Sequence, residues 1–135
     1  MPKLCDQGEH AVLEVFMGGA TRGGSGDLYL GLYTDTTEPG EATTLSTITE
    51  LAVTHGYARI ALADGDWTIV ADLATNLQKT FTASGGDWGN IYGYFICDVS
   101  SGTSGNLLFV EQFSDGPYNI TDGLSVKITP SILAA

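Results

Sequence analysis

Positive charge is what this sequence has least of. Lys and Arg together number 5 against 16 Asp and Glu, giving a net charge of −11 at neutral pH. A nucleic-acid-binding face needs a basic patch to displace counterions, and scattered bases do not build one, so nucleic acid is excluded as a partner. Anionic membrane surfaces are disfavoured for the same reason. No apolar run nears the roughly 18 residues of a bilayer-spanning helix. Met1 to His10 shows no basic-then-apolar leader, so the expectation is a soluble chain without an export signal. The acid excess itself serves solubility by self-repulsion, or else offers an acidic face to a basic partner or metal ion.

Residues that carry chemistry are equally scarce. The 2 cysteines, Cys5 and Cys97, are far apart and show no CxxC spacing. They are either a pair across the fold or two reduced thiols. The 2 histidines, His10 and His55, have no Gly-x-Ser-x-Gly elbow or papain-like cysteine context near them. Cys and His do not fall at zinc spacings. Asp64-Gly65-Asp66 lacks the other positions and the closing glutamate of a calcium loop, and reads as a solvated turn. Gly23-Gly24-Ser25-Gly26 and Ser84-Gly85-Gly86 are not followed by Gly-Lys-Ser/Thr or a helix start, so they read as turns or linkers, not phosphate loops. The many acids offer pairs for glycoside hydrolysis, but sequence does not report their separations. The expectation is no enzyme, no cofactor and no metal.

What the chain does contain favours strands. Its charged fraction of 16% is low against about 25% in ordinary domains. Gly, at 18 residues, and abundant Thr and Ser take up the difference. Thr packs well on a pleated surface and Gly supplies tight turns. The length of 135 residues suits one domain of roughly 100–150.

At the start, Asp6-Gln7-Gly8-Glu9 has the acid spacing of a reciprocal helix cap. Val12, Leu13, Phe16 and Met17 then share one helical face, and Gly18-Gly19 closes the run. This predicts a short helix over Gln7–Met17, whose apolar face must dock on something. Ala20 to Gly26 is a flexible connector by composition. Residues 1–26 therefore read as an N-terminal arm of helix plus connector, and residues 27–135 as a β domain.

Strands are predicted at Leu28–Tyr33, Tyr57–Leu62, Trp67–Val70, Lys79–Ala83, Ile91–Val99, Leu107–Gln112 and Leu124–Thr129. Pro130 ends the last, because it lacks a ladder donor. Gly-rich and Asp-Gly turns separate them. About seven short strands at this spacing predict an all-β fold, an antiparallel sandwich or jelly-roll-like domain. Ile91–Val99 is the longest and most apolar run, with the pattern of a central strand buried on both faces.

Thr34 to Gly56 breaks the rhythm, since structureless connections beyond about 12–15 residues are uncommon. It is either an excursion covering the sandwich or a lobe that contacts a neighbour. Leu45, Ile48 and Leu51 join Val12, Leu13, Phe16 and Met17 as candidate subunit-interface residues. Among the aromatics, Trp67, Trp88, Tyr92, Tyr94 and Phe95 suit core or interface packing better than a sugar-binding face.

Leu28-Tyr29-Leu30-Gly31-Leu32-Tyr33-Thr34, the Thr-rich loop with Glu38-Pro39, and Gly56-Tyr57-Ala58-Arg59 together resemble small virion proteins of tailed bacteriophages. Phe81-Thr82-Ala83, Trp88-Gly89, Ile91-Tyr92-Gly93-Tyr94-Phe95, Glu111-Gln112-Phe113 and Gly116-Pro117-Tyr118 extend the likeness over most of Leu28 to Pro130. Within that class the resemblance implies a capsid decoration, or cement, protein: a homotrimer on the outer capsid surface, assembled in the host cytoplasm. Such a protein binds the major capsid protein and staples neighbouring capsomers. The alternatives are a tail, fibre or baseplate component, a carbohydrate-binding module with Trp67 or Trp88 as platform, and a small hydrolase with a clustered acid pair.

Overall fold

A computed structural model of the chain describes residues 3–10, 28–71 and 73–133. The predicted helix face of Val12, Leu13, Phe16 and Met17, the connector and the boundary between arm and domain all lie outside these residues.

The fold is all-β, and every strand pair is antiparallel. The described residues form twelve strands: β1 (Lys3–Leu4), β2 (Leu28–Tyr33), β3 (Ile60–Leu62), β4 (Thr68–Val70), β5 (Leu73–Thr75), β6 (Lys79–Thr82), β7 (Gly89–Ile91), β8 (Gly93–Cys97), β9 (Leu107–Gln112), β10 (Tyr118–Ile120), β11 (Ser125–Ile128) and β12 (Ser131–Leu133). A five-stranded sheet in the order β1-β9-β8-β2-β3 is the centre of the molecule. Three smaller sheets, β7 with β10, β6 with β11, and β4-β5-β12, complete it.

Strand alternation explains why the central sheet is covered on both faces. In β2, Leu28, Leu30 and Leu32 join a large core with Tyr94 and Ile96 of β8, Phe81 of β6 and Val126 and Ile128 of β11. On the opposite face Tyr33 joins Phe95, Cys97, Leu107 and Val110 in a second core. Successive side chains of a strand point to opposite faces, so each strand serves both cores. A bulge in β9, where pairing slips between Ile96 and Cys97, turns both Leu108 and Phe109 toward the first core. Gly31 and Gly93 are required by close approach. A Cβ on Gly31 would enter the Phe95 ring, and one on Gly93 would strike the Glu111 carbonyl and the Tyr33 hydroxyl.

The second core is closed by pieces that the sequence left without strands. Cys5 is fully buried there, and β1 pairs with β9, so Lys3 and Leu4 are built into the edge of the central sheet. The helix opens at Asp6, one residue earlier than predicted. Cys5 occupies the capping position: its carbonyl accepts the Glu9 amide at 2.9 Å, while the Asp6 amide goes to the Glu41 carbonyl at 3.0 Å. The long connection is an excursion over the sheet. Thr44 to Ile48 makes one helical turn, with the Ile48 amide on the Thr44 carbonyl at 2.9 Å, and Glu50 then bridges to Tyr33.

Two predicted strands differ in extent. Ile91–Val99 is not one central strand: it is β7 and β8, which belong to different sheets. At the joint, Tyr92 donates to the Tyr33 carbonyl at 3.1 Å and accepts the Phe113 amide at 2.9 Å, so its backbone serves the crossing between sheets. Tyr57–Leu62 contracts to β3: the Tyr57 amide closes a turn on the Thr54 carbonyl at 3.1 Å, and its hydroxyl accepts the Leu32 amide at 3.0 Å. Pro130 ends β11 as expected, but β12 follows at once and pairs with β5.

Candidate functional site

Among the described residues, two polar clusters are built around aromatic rings. The first is internal. Glu50, at the end of the long connection, accepts the Tyr57 hydroxyl at 2.9 Å and the Arg59 guanidinium at 2.5, 3.1 and 3.2 Å. Arg59 also donates to the carbonyls of Val99 at 3.0 Å and Gly102 at 2.8 Å. Its carbon lies 5.4 Å from the centre of the Phe95 ring. Burial opposes the charge on Arg59, but the hydrogen bonds to Glu50 favour it and the net direction is upward. These donors are committed to holding β3, the long connection and the loop after β8 together.

The second is an open groove of about 470 Å³ between the end of β9 and β11. One wall is Glu111, Gln112 and the loop from Phe113 to Tyr118; the other is Val126 to Thr129, with Ser131 beyond. Phe113 sits between two tyrosines. Its ring is 6.3 Å from Tyr94 at 43° and 4.9 Å from Tyr118 at 51°. The Tyr94 hydroxyl donates to Glu111, and the Tyr118 hydroxyl donates to Asp115. Burial raises the Tyr94 pKa, and the bond to Glu111 and its charge raise it further. The bond to Asp115 does the same for the exposed Tyr118 hydroxyl. Both phenols stay protonated donors at neutral pH. Alternation in β11 buries Val126 and Ile128 and leaves Lys127 exposed on the rim.

The residues predicted from sequence fall elsewhere. Leu45 and Ile48 lie in the second core and Leu51 in the first, each less than a tenth exposed. Their side chains are therefore covered by the chain itself. Trp88 is not a platform: it is buried, 5.9 Å edge-on to Tyr57, and its Nε1 donates to the His55 carbonyl at 3.0 Å. Trp67 is half-buried against the same core. Asp64-Gly65-Asp66 is a 3₁₀ turn, and Asp66 pairs with Lys79 at 3.1 Å. Cys5 and Cys97 are both free and buried in the second core. Among the described residues no three His, Cys, Asp or Glu side chains group as metal ligands, and no helix is long and apolar enough to cross a membrane.

The groove was missed because Tyr94, on β8, and β11 meet the loop after β9 only in the folded chain. The signal available was a pair of aromatics, Phe113 and Tyr118, bracketing the turn Ser114-Asp115-Gly116-Pro117. That pairing is a property of the turn, and the register that brings Lys127 opposite it is tertiary.

A family model described as "Podophage GP4 fiber I protein gp80" matches residues 3–134. The chain belongs to this family. It is thus a tailed-phage structural protein and a component of the virion. The fibre I description spans both the central sheet and the small sheets around it, and it names a fibre where the resemblance had implied a capsid decoration protein. No curated protein matches the chain.

Proposed function

We propose that this chain is a building block of a phage fibre and acts by packing against copies of itself and other virion proteins, without catalysis. The observation that carries this reading is the fibre I family match over residues 3–134. The placement of polar groups supports it. Arg59, Glu50 and Tyr57 tie loops to the central sheet, and Asp66 and Lys79 pin a turn to β6. Such pairs hold shape; they leave few groups to act on a substrate. Exposed Val70 and Leu73 on the β4–β5 hairpin, with Leu77 just beyond, suit a contact with another protein. The acidic surface keeps the block away from nucleic acid.

Virions dissociated into heads and tails, followed by mass spectrometry of each fraction and antibody labelling of intact particles, test the proposal. The chain is expected on projecting fibres. Recovery only from head shells, at positions related by capsid symmetry, would overturn it in favour of a decoration role. Light scattering on the purified chain gives the order of self-association.

A further inference from the structure

The β4-β5-β12 sheet has one face on the core and one turned outward. Register places Val70 opposite Leu73, and Thr68 and Ser131 on either side of Thr75. Alternation along β5 and the two residues after it sends Leu73, Thr75 and Leu77 one way, and Ala74 and Asn76 the other. Asn76 is buried, and Ile132, opposite Ala74, packs on the first core, which identifies the inward face. Val70, Leu73 and Leu77 lie on the outward face, 68, 38 and 59% exposed. They are three of the five large apolar side chains exposed among the described residues. Apolar side chains exposed singly need no account, but three gathered on one small sheet mark a contact.

Charge narrows the occupant. Thr68, Val70, Leu73, Thr75, Leu77 and Ser131 make the outward face without a charge among them, in a chain with 16 acids and a net charge of −11. A basic partner is drawn to acids, and this face offers it none. Two copies of the chain repel each other over most of their surfaces, so they meet at least cost where both are uncharged. We propose that a second copy of the chain docks here, outward face against outward face, with Val70, Leu73 and Leu77 covered in both. The choice of a second copy rests on the fibre reading, in which copies stand side by side at high local concentration. Size sets the strength. Three strands of 3 residues each give a footprint of roughly 10 Å by 14 Å. That is far below the ~800 Å² per partner of a stable interface, so an isolated pair is weak and the array of copies in a fibre sustains it.

The test uses the full chain and analytical ultracentrifugation at rising concentration. Self-association is expected at about 0.1–1 mM. It should strengthen with sodium chloride, which screens the repulsion between acidic copies. Val70→Asp and Val70→Lys, at an exposed position, should each weaken it about tenfold. Mixing the two variants should restore it, because opposite charges then meet within one small contact. Leu77→Asp should act like Val70→Asp, while Leu124→Asp, equally charged and exposed on another loop, should not. Thermal melting checks that each variant folds. A mass that stays that of one chain at about 1 mM overturns the proposal. So does association unchanged by Val70→Asp, a loss as large with Leu124→Asp, failure of the mixed variants to rescue each other, or a different virion protein covering this face in the fibre. The fibre reading is judged separately by antibody labelling of the virion. A chain on projecting fibres that stays monomeric overturns the docking face alone, and a chain on head shells whose variants still rescue each other overturns the fibre reading alone.

Discussion

Arg59 and Glu50 meet through three hydrogen bonds, at 2.5, 3.1 and 3.2 Å, with the Arg59 side chain 3% exposed and Glu50 20%. They lie nine positions apart, at the end of the long connection and just before β3. Removing one partner leaves the other poorly solvated. Arg59→Met is expected to destabilise the fold by about 3 kcal/mol, and Glu50→Gln by somewhat less because Glu50 is nearer solvent. The double variant should lose less than the sum, since the two act as one unit. Urea unfolding of the four proteins measures this, and simple additivity would show that the pair is not coupled.

Gly31→Ala is expected to cost about 1–3 kcal/mol, because its new methyl enters the ring of fully buried Phe95. Phe95→Leu in the same chain should recover part of that loss. Gly40→Ala has nothing within 4 Å of its new Cβ and serves as the control. Equal melting temperatures for the Gly31 and Gly40 variants would contradict the packing described.

Tyr33 is fully buried, and its hydroxyl has no hydrogen-bond partner among the described residues. A buried hydroxyl without a partner is a cost that phenylalanine removes. Tyr33→Phe is therefore expected to leave stability unchanged or raise it by about 1 kcal/mol. Denaturant midpoints decide the matter; a clear loss would mean that the hydroxyl is satisfied, for example by ordered water.

Alkaline pH should unfold the protein earlier than a surface titration would. Burial is the first cause of raised pKa values at Tyr33, Tyr57 and Tyr94, and burial with the charge of Asp6 pushes the Cys5 thiol up to about 11 from 9.0. Each group binds its proton more tightly folded than unfolded, so the stabilisation is complete below the unfolded pKa. It is lost as pH rises through the folded value. For Cys5 the window runs from 9.0 to about 11, and for the tyrosines it begins at 10.0 and extends upward. Thermal melts across this range should show a falling midpoint, with tyrosinate absorbance appearing largely as the chain unfolds. A flat profile would place these groups in contact with solvent.

Much of this fold was legible because alternation is local. Leu28–Tyr33 carries a period-two pattern and Leu107–Gln112 is a short run set off by a Gly-rich turn, and β2 and β9 have those bounds. The split of Ile91–Val99 was not legible, since both halves are apolar and only tertiary pairing at Tyr92 separates them. β5, β10 and β12 are short and mixed in polarity, and they exist because partners already in place offer free edges. Leu45, Ile48 and Leu51 were read as candidate interface residues, and the choice between that and an excursion covering the sandwich rests on tertiary packing, which puts all three in the cores. The groove depends on Phe113, Tyr118 and Lys127 converging from three elements, and no linear spacing encodes that.

β2, β8 and β9 form a party wall between two apolar compartments. Parting any of these strands opens both compartments at once, because each strand faces both. Calorimetry of the isolated protein should record a single transition. A filament made of such blocks would give way block by block, each in one step, without first shedding a layer.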